Sequence, residues 1–230
     1  MGAMAQALVA QTAGGGDITT GLQALWQMNE GSGTTVADGS GNSNVLTLGG
    51  GSTTPTWVSG YTGSFALLFD GNNDVATATS SSSLSPTSAI TISAWVKTSG
   101  QGSGNAATGT LIRKENAYTV FIDGTSGLLF GIFAGSNCIY GTATTTGVWH
   151  HVCATYDKSL GSNQMALYYD GALVANQTNT NSIPSNANDV AMGGGLLYSD
   201  EQLNGTQNAT RIYNRALTAA QVLYLFNNKL

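Results

Sequence analysis

The stretch WHHVCATYD, Trp149 to Asp157, decides how the chain is read. It holds both histidines of the protein, one of its two cysteines and an aspartate, side chains that bind metals and move protons. Its pattern is nevertheless that of a strand. Successive side chains point to opposite faces, so Val152, Ala154 and Tyr156 share one face, and Trp149, His151, Cys153 and Thr155 the other. His150 and His151 then face opposite ways and cannot grip one ion together, and the local sequence places no third ligand.

The same pattern extends outward on both sides. Short apolar runs such as SFALLFD (64–70), AITISAWVK (89–97), AYTVFID (117–123) and QMALYYD (164–170) alternate with clusters of Gly, Asn, Asp and Ser. Asp123-Gly124 and Asp170-Gly171 lie between such runs, as hairpin turns do. With 31 glycines and only three prolines, the chain is built for tight turns. About a dozen strands are expected, too many for one open sheet, so they predict an all-β, two-sheet antiparallel β-sandwich. One helix is legible at the end: in LTAAQVLYLF (217–226), Thr218 is the N-cap and Gln221 completes a capping box. Val222, Leu225 and Phe226 form its inner face.

Composition narrows the function. Only 8% of residues are charged, the net charge is −5, and the seven Lys and Arg form no cluster. Nucleic acid and membrane insertion are therefore not expected. Residues 1–20 read as a flexible leader, beginning with an expression remnant at Met1 to Met4, and 21–230 as one domain. Cys138 and Cys153 are expected on adjacent or facing strands, able to form a disulfide in an oxidising compartment; burial as two thiols is the alternative.

The blocks EGSGTTVADGSGNSNVLTL (30–48), FDGNNDVATAT (69–79), GVWHHVCATYD with QMALYYDGALVA, and LNGTQNATRIYNRALTAAQV (203–222) resemble, in order, the laminin-G-like, concanavalin A-like jelly-roll domains. The resemblance implies the jelly-roll fold and leaves function open. It departs where the family usually carries acidic residues before the R-I-Y segment: here stand Asn208 and Ala209. Cys153 takes the place of a usual small residue.

Two loops offer hard oxygen ligands for a structural calcium: Asp38 with Asn42, the pair favoured by family likeness, and Asp70 with Asp74 in DGNND. Asx-turn capping is the alternative for both. The candidate ligand-binding residues are Tyr198 and Asp200 in GGGLLYSDEQ, with Tyr118, Asn116 and Tyr140; an aromatic face stacks on sugar rings while polar neighbours bond hydroxyls. Trp26, Trp95 and Trp149 are expected in the core. Glu30, Glu115 and Glu201, the only glutamates, lack the close carboxylate partner on one strand that a glycanase needs. The expected function is a non-catalytic carbohydrate-binding or adhesion module, extracellular or at the cell surface, with a glycan or polysaccharide as partner. A structural domain of a virion, appendage or surface assembly is the alternative, and a polysaccharide-degrading enzyme the third reading.

Overall fold

The computed structural model describes residues 16–49, 53–100, 108–123, 127–133, 137–141, 144–196 and 201–230. Among the described residues, sixteen strands and one helix follow in chain order: β1 (Leu22–Trp26), β2 (Thr35–Val36), β3 (Leu46–Leu48), β4 (Thr56–Ser59), β5 (Phe65–Asp70), β6 (Ala76–Ala78), β7 (Ala89–Thr98), β8 (Thr108–Lys114), β9 (Tyr118–Asp123), β10 (Gly127–Ile132), β11 (Asn137–Tyr140), β12 (His150–Asp157), β13 (Met165–Tyr169), β14 (Ala172–Gln177), β15 (Val190–Met192), β16 (Asn204–Tyr213) and α1 (Ala219–Asn227). Two eight-stranded antiparallel sheets form the sandwich. The first runs β14-β13-β12-β7-β16-β5-β4, with β1 also on β16; the second runs β11-β10-β9-β8-β15-β6-β3-β2.

The main core lies between the sheets. Ile90, Ile92 and Val96 of β7, Val152, Ala154 and Tyr156 of β12, and Ile212 of β16 meet Tyr118, Val120 and Ile122 of β9 and Phe130 and Ile132 of β10. The alternation read in WHHVCATYD holds, but the opposite face is not solvent. Cys153, Tyr168 and Tyr213 on the outside of the first sheet form a second apolar cluster with Ile18, Leu217, Val222 and Leu225. The nine-residue α1 covers this face, and a helix that short is marginal alone. Burial of Leu217, Val222 and Leu225, about 1.5 to 3 kcal/mol each, holds it. The reciprocal bonds of the Thr218 and Gln221 capping box set its start. Among the described residues, no helix is long and apolar enough to cross a membrane.

Three sequence readings change. The packed chain begins before Gly21: Ile18 is buried, and Arg215 donates to the carbonyls of Asp17 and Thr20. Cys138 and Cys153 are both free thiols. Cys153 points outward from the first sheet under α1, while Cys138, paired with Gly131 and preceding the inward Ile139, points outward from the second. The whole core separates them, so no disulfide can form in the native state. Trp149 is half-buried at the surface, whereas Trp26 and Trp95 are core residues as expected.

The β13–β14 hairpin turns at Asp170 (φ 49°) and Gly171 (φ 79°), the left-handed pair a two-residue type I′ loop requires. At Gly193 (φ 82°) a Cβ would lie 2.1 Å from Phe69 Cδ1, so only glycine lets β15 turn over the core.

Candidate functional site

A pocket flanked by basic and aromatic side chains lies on the outside of the first sheet, beside the end of α1. Gln27 and Asn29 after β1, Thr62 in the β4–β5 hairpin, Ala209 and Arg211 in β16, and Lys229 and Leu230 line a pocket of about 180 Å³. A β-bulge between Asn208 and Arg211, with Ala209 at φ 48°, aims this part of β16. Asn208 is fully buried and acts as a hub. Its Oδ1 accepts from the backbone N–H groups of Tyr61 (3.3 Å) and Thr62 (2.9 Å) and from Thr62 Oγ1 (2.8 Å). Its Nδ2 donates to the carbonyls of Gln27 (2.8 Å) and Phe65 (3.0 Å). A carboxylate at this position could not make the last two bonds.

Arg211 is 6% exposed and donates to the Ala209 carbonyl at 3.1 Å. Among the described residues, neither Arg211 nor Lys229 forms an ion pair. Next to the pocket, Tyr61 stacks on Trp149 with ring centroids 5.5 Å apart and planes at 18°. Lys229 Nζ lies 4.7 Å from the Tyr61 ring centre, and Lys97 Nζ 5.5 Å from that of Trp149. Behind them sits His151, whose Nε2 is 2.9 Å from Ser93 Oγ and whose buried Nδ1 has no partner. Burial first, and the Arg211 charge second, push its pKa down to about 3.

The expected ligand-binding residues do not form one surface. Tyr198 and Asp200 lie outside the described residues. Tyr118 is a core residue: it begins β9 facing inward, fully buried, and its hydroxyl donates to the Leu84 carbonyl at 3.0 Å. Asn116 is exposed in the β8–β9 turn at φ 58°. Tyr140 is 53% exposed, but pairs with Leu129 on β10, while Tyr118 pairs with Ile132 at the other end of the ladder. Tyr61 adjoins the pocket, next to the lining residue Thr62 and beneath Lys229.

The two loops proposed for calcium differ. Asp38 accepts four hydrogen bonds, from Leu25 N, Ser40 N, Ser40 Oγ and Asn44 N. Asn42 Nδ2 donates to the carbonyls of Leu22 and Gln23. All four acceptor sites of the carboxylate are spent, and donors fill the loop, so this pair fits an Asx-type staple and not a cation. In the second loop, Asp70 Oδ1 accepts from Asn72 N, and Asp74 Oδ2 from Asp70 N. Asp74 is 5% exposed, and its pKa is raised by burial and by the nearby Asp70 charge; Asn73 Oδ1 is buried without a partner. Adjacent carboxylates and an orphaned amide oxygen are a donor set that a hard divalent cation satisfies.

Two further clusters were not legible in the sequence. Thr145 Oγ1 lies 2.6 Å from His150 Nε2, and His150 Nδ1 2.8 Å from Asp170 Oδ2, the order of a hydroxyl-imidazole-carboxylate relay. None of these residues lines the pocket, Asp170 Oδ1 also accepts from His151 N, and the His150 ring stacks on Tyr169 at 4.5 Å. The relay therefore fastens the loop before β12 to the β13–β14 turn. The other cluster joins Glu115 and Glu201 through Arg113, whose Nε is 2.8 Å from Glu115 Oε2 and whose NH1 bonds Glu201. One oxygen of each glutamate bonds the same guanidinium, while Glu115 Oε1 is buried without a partner among the described residues.

Among solved structures, the binding domain of Paraclostridial Mosquitocidal Protein 1 is similar at 18% identity and TM-score 0.71, covering 93% of this chain and 53% of that one. Domain 4 of AbnA, a GH43 extracellular arabinanase from Geobacillus stearothermophilus solved with arabinotriose, is similar at 22% identity and TM-score 0.66, covering 89% of this chain and 97% of that one. A binding domain of botulinum neurotoxin DC solved with SialylT is similar at 15% identity and TM-score 0.69, covering 93% of this chain and 53% of that one. The chain thus spans about half the length of the toxin binding domains it matches. No curated protein matches it. With the sandwich, its closing helix and a sequence match over residues 70–223, the chain belongs to the concanavalin A-like lectin/glucanases superfamily.

Proposed function

We propose that the protein is a non-catalytic carbohydrate-binding module of a secreted or cell-surface protein. The observation that carries this reading is the pocket of Gln27, Asn29, Thr62 and Arg211 beside the stacked Tyr61 and Trp149. A sugar ring has an apolar face for an aromatic surface and a rim of hydroxyls for amides and cations, and this site sets both kinds of group side by side. Similar folds were solved with arabinotriose, in domain 4 of an arabinanase, and with SialylT, in a toxin binding domain, which supports the class of ligand. Engagement of Glu115 and Glu201 by Arg113 supports a non-catalytic reading, since glycoside hydrolysis needs one carboxyl free as acid and another as nucleophile or base. A structural calcium at Asp70 and Asp74 belongs to the same proposal.

A glycan array spanning plant, algal and animal polysaccharides, followed by calorimetry on the hits, tests it. Trp149→Ala and Tyr61→Ala should each weaken binding at least about tenfold with the fold intact, the loss of one good aromatic contact. Uniform absence of binding overturns the proposal.

A further inference from the structure

Arg211 is a buried cation without a counter-ion. Burying a charge is costly unless it is paired, and one hydrogen bond to the Ala209 carbonyl leaves most of the guanidinium's five donors without a described acceptor. The cause is local. Asn208 and Ala209, which precede it in β16, supply no acid, and Asn208 spends its amide on the Tyr61, Thr62, Gln27 and Phe65 backbone. Asn208 thereby builds the pocket wall and leaves the cation facing the pocket unneutralised.

Among the described residues, the side-chain charges around it have the same sign, and the α-carboxylate of Leu230, also on the lining, is the opposing charge there. The chain carries a net charge of −5, yet three of its seven basic residues, Lys97, Arg211 and Lys229, lie in this one patch. Glu30, although close in sequence to Asn29, bonds the Ala37 N–H and does not line the pocket. A pocket of about 180 Å³ has room for a sugar-sized group.

Building on the carbohydrate-binding reading, we infer that the pocket selects an acidic sugar: a ring-borne carboxylate is taken by Arg211, with Lys229 at the mouth, while Tyr61 and Trp149 carry the ring and Thr62 and Asn29 bond its hydroxyls. A guanidinium suits a carboxylate because its planar fork matches both oxygens at once. The ligand completes an ion pair that the fold leaves open, so the charge contributes selectivity as well as affinity.

Calorimetry with three oligosaccharides of equal length tests this: an oligogalacturonate, its carboxyl-reduced neutral counterpart, and the neutral chain bearing sulfate esters. The oligogalacturonate should bind at least about tenfold more tightly than the neutral chain, the scale of one charge-assisted hydrogen bond. Arg211→Gln should erase that preference. Lys229→Gln, an exposed change that cannot unfold the chain, should reduce the preference about threefold or more. Equal affinity for acidic and neutral chains, or an acidic preference unmoved by Lys229→Gln and by a folded Arg211→Gln, overturns the inference while the carbohydrate-binding reading stands. Tighter binding of the sulfated chain through the same two residues overturns the carboxylate assignment. Failure of all three to bind, together with an empty glycan array, removes both readings.

Discussion

Acidification should destabilise this protein through His151. The ring is fully buried between Trp95 (5.2 Å) and Phe226 (6.3 Å), and its Nδ1 has no partner, so a proton taken there becomes an unpaired N–H in apolar surroundings close to Arg211. Its pKa is held down to about 3, against about 6.5 in the unfolded chain. A base whose folded pKa lies below its unfolded one binds fewer protons when folded, so its stability contribution is whole above about pH 6.5 and is lost as pH falls toward 3. Between pH 6.5 and pH 4.5 the loss is about 3 kcal/mol, at about 1.4 kcal/mol per unit. That is a large share of the roughly 5 to 15 kcal/mol that holds a domain together. Urea unfolding at pH 7 and pH 4.5, on the natural chain and on His151→Gln, isolates the effect. Asp74, whose pKa is raised by burial, gains stability on acidification, but it does so in both proteins and cancels in the difference. The variant should lose about 3 kcal/mol less over that interval, whatever it costs at pH 7. Equal pH dependence in the two proteins would refute the reasoning.

Thiol titration without reductant should count one slowly reacting thiol in the folded protein and two after denaturation, because burial raises both pKa values and seals Cys153 completely beneath α1; a single bridged pair after denaturation would contradict the placement. Thr218→Ala should cost about 1 kcal/mol in chemical denaturation, the value of a lost N-cap, and no change would mean that packing alone holds α1. Calcium at a hundred times its dissociation constant should stabilise by about 2.7 kcal/mol. For a chain of this size that is a melting shift of about 5 to 10 °C, abolished by Asp74→Ala and kept by Asp38→Ala; the reverse pattern would assign the ion to the first loop.

The fold was legible because its signals are local and periodic. Alternation in WHHVCATYD assigned each side chain to a face, and Asp170-Gly171 marked the β13–β14 hairpin, since these depend on two or four neighbouring residues; Gly124 of the other pair lies outside the described residues. What alternation cannot say is what covers each face. His151 and Cys153 were correctly sent away from the main core, yet that face is a second apolar layer, closed by a helix some 65 residues later. Tyr118 shows the converse. It follows a turn and so reads as a loop aromatic, but Tyr118, Val120 and Ile122 keep one parity and all three face the core.

The proposed binding site was legible only in negative form. Its residues come from β1, the β4–β5 hairpin, β16 and the end of α1, separated by up to about 200 positions, and no motif spans that distance. The usable signal was a substitution: amide and alanine standing where acids are usual, next to an arginine that the strand pattern buries. Removing an acid from such a position leaves the cation, and a buried cation is retained only if something pairs with it or solvent reaches it. The bulge at Ala209 opens the second route by turning Arg211 to the pocket. The same reasoning separates the two aspartate loops. Asp38 and Asp70 are alike in sequence, each followed by glycine in a turn, and only the count of N–H and O–H donors reaching each carboxylate tells a finished staple from an unfinished ligand set.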